Sequence, residues 1–276
     1  MKYIKKLLKR LIKTIKKPEM RILPGQLAFF LVLSIIPIIT MLAFTGKLFS
    51  ISLSDLTPLL KETVPSGVLD ILLPFLTSKG LNINTWFSMI VGFLVASNGA
   101  HSIIVTSNIL YKIDSNDYLK RRIKALLLTI ILLMLFVFIL FGLAFGNATL
   151  KTILDIVLSA TLAEKIYVYF VFFKWPIALI VIFLMIKMLY TLAPDSRVPS
   201  RYVNMGASFT SLGLILVTFI YSFYANNIAN YNIFYGNLAN IIILMIWVYA
   251  ISYVIVIGIA LNTEYYNLEN NTNNII

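Results

Sequence analysis

Long apolar runs alternate with short polar or basic stretches along the whole chain, and the runs are of bilayer length. Reading runs and their punctuation places helical spans near residues 26–46, 84–108, 124–146, 175–193, 204–224 and 237–262. A hydrocarbon layer about 30 Å thick takes about 20 apolar residues of helix to cross. The stretch from Tyr202 to Thr263 contains no Lys, Arg, His, Asp or Glu, and its 62 residues are too many for one crossing, so it must cross, turn and cross again. The fourth span is set to begin at Trp175, because Lys174 is tolerated at an interface and costly at mid-membrane, whereas Trp favours the interface. The pattern predicts an all-α integral membrane protein of about six transmembrane helices, a domain over 26–262.

The flanking segments carry patterns of their own. In Met1–Lys17, Ile4, Leu7, Leu8, Leu11, Ile12 and Ile15 fall on one helical face, and Lys5, Lys6, Lys9, Arg10, Lys13 and Lys16 on the other. Segment 1–25 is therefore expected to hold an amphipathic helix on the anionic lipids of the inner leaflet. The alternative, packing on a cytoplasmic domain, is set aside because no such domain remains in the chain. A cleavable signal is also set aside, since 26–44 is of spanning length and no small-residue cleavage site follows it closely. Leu53–Leu76, with Pro58, Pro65 and Pro74, reads as short broken helices on the outer face, as does Thr152–Phe173; residues 263–276 read as a polar tail.

Charge then orients the spans. Of 23 Lys and Arg, 17 lie in 1–25, 109–124 and 187–201, which alternate along the chain with the poorer loops. That asymmetry puts both termini on the cytoplasmic side, and it accounts for the net charge of +12 without a nucleic-acid partner. A hydrophobic content of 60% and a mean hydropathy of +0.91 argue against a soluble domain of this length. With no cysteine there are no disulfides, thiolate metal sites or cysteine nucleophiles.

Candidate chemistry is sparse. His101 is the lone histidine, no Gly-rich phosphate loop is present, and no metal or cofactor is expected. Asp114 and Asp117 sit among Lys112, Lys120, Arg121 and Arg122 as a cytoplasmic charge cluster. The second span carries a polar stripe: Ser97, His101 and Asn108 fall within about 40° of one another on a helix, with Asn98 beside them. Such a stripe has two readings, hydrogen bonding between helices or the wall of a substrate pathway. Spans five and six add Ser208, Thr210, Ser211, Thr218, Ser222, Asn237, Asn240, Ser252 and Asn262. The turn between them, Asn226–Gly236, is made almost wholly of amides and aromatics; Asn230, Asn232 and Tyr235 there suit a polar headgroup or sugar. Gly206, Ser208, Gly213 and Gly258 allow close helix contact, and a homo-oligomer is left open.

From Gln26 to Asn262 the chain resembles the YihY/BrkB membrane protein family. The resemblance rests on Ala28-Phe29-Phe30 with Ser34 and Pro37, on Ala96-Ser97-Asn98-Gly99 with Asn108 and Tyr111, and on Trp175-Pro176. It continues through Tyr190-Thr191-Leu192-Ala193-Pro194, Tyr224-Ala225-Asn226, Tyr235-Gly236, Trp247-Val248-Tyr249 and Gly258-Ile259-Ala260-Leu261-Asn262. The family usually has an acidic residue where this chain has Ala260; Glu264, one turn later, could stand in for it. The resemblance implies a multi-pass protein of the bacterial cytoplasmic membrane, a family long labelled a tRNA-processing ribonuclease in error. It also implies links to envelope integrity and to movement of lipids or lipid-linked glycans.

The leading expectation is a transporter, flippase- or scramblase-like, for a lipid or other amphiphilic envelope substrate. Ser97, Asn98, His101 and Asn108 would line the path, with Asn230, Asn232 and Tyr235 at its outer mouth. The alternative is a non-transporting membrane scaffold. An enzyme, a ribonuclease above all, ranks last.

Overall fold

The computed structural model describes residues 2–48, 83–114, 117–140, 160–227 and 238–273. Every regular element among them is helical: α1 (Lys2–Ile15), α2 (Glu19–Leu48), α3 (Ile83–Tyr111), α4 (Tyr118–Leu140), α5 (Ala160–Leu192), α6 (Asn204–Asn227) and α7 (Ala239–Asn273), with a 3-10 turn, Ser200–Val203, leading into α6. Three stretches among the described residues are long and apolar enough to cross a membrane: Ile90–Tyr111, Ser200–Tyr221 and Ala239–Glu269. The broken helices expected in Leu53–Leu76 and residues 228–236 of the amide-rich turn, including Asn230, Asn232, Tyr235 and Gly236, lie outside the described residues.

Local chemistry sets the element ends. Pro18 separates α1 from α2, where a proline fits the start of a helix better than its interior, and Glu19 places a carboxylate in the first turn of α2. Helix α3 stops at a Schellman cap: the Ile113 N–H donates to Asn108 O at 2.9 Å and the Lys112 N–H to Ile109 O at 3.2 Å. Lys112 itself takes the left-handed conformation, φ 57°, that glycine usually fills. Asp117 then caps α4, its Oδ1 accepting the Lys120 N–H at 3.0 Å.

Each long helix packs on the next in chain order from α2 to α7, and α7 returns to α2, so the six close a circuit. The main core draws Leu27 from α2, Ile104 from α3, Ala125 from α4, Tyr190 from α5, Ala207 from α6 and Val256 from α7. A cavity of about 300 Å³ opens between α2, α3, α4 and α5, lined by Leu31, Ala96, Gly99, Ala100, Leu132 and Met185 among others. Leu184, Phe219, Ile220 and Met245 are exposed on the outer faces, as expected of residues meeting lipid.

Three element readings change. Helix α5 begins at Ala160 and runs through Lys174, Trp175 and Pro176 without a break, so Thr152–Phe173 is not a separate broken segment where it is described. Proline inside a helix removes one backbone bond and bends the chain, and the flanking residues are apolar enough to continue it. Residues 263–273 of the segment read as a polar tail continue α7 as helix, and α7 is about 50 Å long at 1.5 Å per residue. That end also supplies the surface α1 lacked in the sequence: Leu7 packs with Leu261 and Leu268, and Thr14 Oγ1 donates to Glu264 Oε1 at 2.7 Å.

Candidate functional site

The polar stripe on α3 shares a helical face but not an environment. Ser97 is fully buried and turns back on its own helix, donating to Leu94 O at 2.7 Å. One residue on, Asn98 Oδ1 accepts Arg122 Nη1 at 2.7 Å, and the same guanidinium donates from Nη2 to Leu94 O at 2.8 Å. His101 stacks edge-on against Tyr118, ring centroids 5.8 Å apart, and its Nε2 is buried without a hydrogen-bond partner. Arg121, Arg122 and Asp195 lie near enough to act on the imidazole electrostatically. The first turn of α4 thus lies against the middle of α3, well short of its end at Tyr111.

Asn108 belongs to a different junction. Its Nδ2 donates to Asp195 Oδ2 at 2.6 Å, while its Oδ1 accepts the Asp195 N–H at 2.9 Å. Lys124 completes the knot, donating to Ala193 O at 2.8 Å, Pro194 O at 2.6 Å and Asp195 Oδ1 at 2.9 Å. An ammonium on the carbonyls just past the last turn of α5 satisfies backbone groups there and opposes the negative end of the helix dipole. The knot ties α3, α4 and the end of α5 together with both polar atoms of the Asn108 amide engaged by Asp195, and the sequence reading missed both Asp195 and Lys124. Their one signal was local: Asp195 directly follows the Leu192-Ala193-Pro194 motif. Nearby, Asp117 pairs with Lys120 at 3.1 Å, and the backbone and ammonium of Lys120 hold its carboxyl below the usual range.

The remaining motif positions build a second junction, among α5, α6 and α7. The Tyr190 hydroxyl donates its one proton to Ile255 O at 2.8 Å and accepts from Thr210 Oγ1 at 2.7 Å. The Asn262 Oδ1 accepts the Gly206 N–H at 2.7 Å. A Cβ at Gly206 would run into Gly258 O and Asn262 Oδ1, and one at Gly258 into Thr210 Oγ1 and the Tyr190 hydroxyl. Gly213 likewise fits against Val254, so the glycines singled out in the sequence are used inside the chain. Elsewhere, Ser34 Oγ lies 2.7 Å from Phe30 O and 3.1 Å from Ala96 O, close to where a Cβ at Gly99 would fall. Tyr111 meets Tyr266 edge-on, Trp247 Nε1 donates to Thr218 Oγ1 at 3.4 Å, and Pro37 falls within α2. Among the described residues, no group of three acidic or His side chains could hold a metal ion.

Motif residues spread over every long helix but α4 point to a shared architecture, and comparison with known proteins matches residues 11–274 to the family described as Virulence factor BrkB. The chain belongs to the BrkB family. Among its relatives is the protein of Bacillus subtilis named "Putative ribonuclease-like protein YfkH", 29% identical over 244 residues, which are 86% of this chain and 87% of that protein. A UPF0761 membrane protein of Vibrio campbellii is 26% identical over 260 residues, 90% of this chain and 78% of its own. A shorter match, 36% over 75 residues, is to a UPF0761 membrane protein of Chromobacterium violaceum. No solved structure matches the chain. With relatives named membrane proteins and its own apolar helices, this BrkB family chain is a membrane protein.

Proposed function

We propose that this chain is a non-enzymatic transporter moving a lipid or other amphiphilic envelope substrate between the leaflets of the bacterial cytoplasmic membrane. One observation carries the reading: Asn98 and His101, joined by Arg122 from α4, set a polar, cationic patch on a helix apolar enough to span. Polar and ionisable side chains such as Asn98 and His101 on a spanning helix are costly and are retained where they serve a pathway. The cavity of about 300 Å³ on the other side of α3 gives apolar room next to it. The fold supports six spans with cytoplasmic termini, because the basic segments gather at one end: Lys124 meets Ala193–Asp195, α1 packs on the end of α7, and Tyr202 packs on Tyr265 and Tyr266.

The test is leaflet exchange of fluorescent phospholipids in vesicles holding the purified protein, read by quenching from outside, with an Asn98→Leu/His101→Leu variant alongside. Exchange by the wild type that disappears in a folded variant is the expected result. Equal exchange in both would remove the patch from the pathway. The Asn108–Asp195 knot favours a second reading, a non-transporting scaffold, in which polar residues serve only stability. That reading wins if no lipid exchanges while the same substitutions lower the melting temperature. Ribonuclease activity ranks last, and cleavage of labelled RNA by purified protein that vanished in His101→Leu would reverse that order.

A further inference from the structure

The four cations at the start of α4 divide into two kinds. Lys120 pairs with Asp117 and Lys124 with Asp195, whereas Arg121 and Arg122 meet no carboxylate among the described residues. Arg122 spends its hydrogen bonds on two neutral acceptors, Asn98 Oδ1 and Leu94 O, which orient the guanidinium without cancelling its charge. Arg121 Nε is buried with no partner, as is His101 Nε2. Asp195, the one carboxylate acting on His101, is already engaged by Lys124 and Asn108. Two guanidiniums consecutive along α4, with donors left over and within electrostatic reach of His101, match a phosphate, whose oxygens accept paired N–H bonds.

An apolar track leads away from this point. Ile90, Leu94, Asn98 and His101 fall on one side of α3, within about 80° at 3.6 residues per turn, and Ile90 and Leu94 are exposed. Counting from Asn98, they lie about 6 and 12 Å further along the helix, away from its charged end. On α4, Ile123, Leu127 and Ile130 are exposed as well. Charge at one end and an open apolar strip running inward from it are the two halves of an amphiphile's complement.

We infer that Arg121, Arg122 and His101 bind the phosphate of an anionic lipid, with its acyl chains along the Leu94–Ile90 face of α3. The inference rests on the reading of this chain as a handler of amphiphiles, and it adds the chemical class: a lipid whose phosphate carries net negative charge, in preference to a zwitterionic one.

Native mass spectrometry of the full chain in neutral detergent tests it, with dioleoyl phosphatidylglycerol, dioleoyl phosphatidylcholine and inorganic phosphate as probes. Phosphatidylglycerol should stay bound where phosphatidylcholine does not, and Arg121→Gln should weaken it about tenfold, the size of a lost charge-assisted contact. Because no hydrogen bond inside the protein reaches Arg121 Nε, this variant should keep the wild-type melting temperature. Ile90→Ser should also weaken the lipid while leaving the charges in place. Equal retention of both lipids, wild-type binding by Arg121→Gln, or displacement of the lipid by millimolar inorganic phosphate would each overturn the inference. Selective binding without leaflet exchange would leave the lipid site standing and remove transport; exchange without selective binding would do the reverse.

Discussion

At the scale of single residues, the closest fit among the described glycines is the approach of α6 to α7 at Gly206 and Gly258. The N–H of Gly206 reaches Asn262, while Tyr190 and Thr210 close over Gly258, so the two glycines set the distance at which those hydrogen bonds form. Gly258→Ala must push α6 or the Tyr190 ring away, and overpacking of this kind costs about 1–3 kcal/mol. Tyr190→Phe keeps the packing and removes only the hydroxyl, worth roughly 1 kcal/mol inside a membrane bundle. The glycine variant should therefore unfold at a clearly lower temperature in detergent than the tyrosine variant. The reverse order would mean the helices yield easily and the hydroxyl, not the close contact, holds the junction. These positions were legible in the sequence as motif members, yet their grouping was not: Tyr190 and Ile255 are 65 residues apart, and no local pattern encodes that meeting.

Elements tell a similar story with a different cause. Periodicity showed that α1 has an apolar and a basic face, but the surface receiving it was hidden in a segment that reads as polar. Leu261, Tyr265 and Leu268 recur at i, i+4 and i+7 among Asn262, Thr263, Glu264, Asn267 and Glu269, enough to make one apolar stripe on an extended α7. The docked side of α1 is Leu7, Leu11 and Thr14, which leaves Leu8 and Ile12 exposed beside the lysines, facing outward as an interfacial helix would. Two anchors therefore act on α1, and they can be separated. Leu7→Ala with Thr14→Val should release α1 from α7, raising amide hydrogen exchange across 5–15 well above wild type in neutral detergent, where no anionic lipid substitutes for the lost contact. Adding phosphatidylglycerol should restore part of the protection if the basic face meets the membrane. Protection unchanged by the two substitutions would show that the Leu7 and Thr14 contacts do not hold α1 in place.

For the whole molecule, the arrangement turns on one end of the bundle. The start of α4, the loop from Ala193 to Pro199, the helix α1 and the end of α7 are far apart in sequence, and each brings its polar groups to that end: Lys124 to Asp195, Thr14 to Glu264, Tyr202 to Tyr265 and Tyr266. The excess of Lys and Arg in those segments is legible in the sequence, because a membrane sorts positive charge by side. What charge counting could not supply was that these segments also bond to one another, which makes the topology cooperative: moving one to the other face of the membrane would strip partners from the rest. A chain without cysteine is suited to a direct check, since every introduced thiol reports only on itself. Lys13→Cys, Lys120→Cys, Arg197→Cys and Asn267→Cys, all at exposed positions, should each resist a membrane-impermeant maleimide in intact cells and react once the cells are opened. A single site labelled from outside would break the common-end arrangement. It would also move Arg121 and Arg122 to the other leaflet if that site were Lys120, since α4 begins only two residues before it and carries both guanidiniums in its first turns.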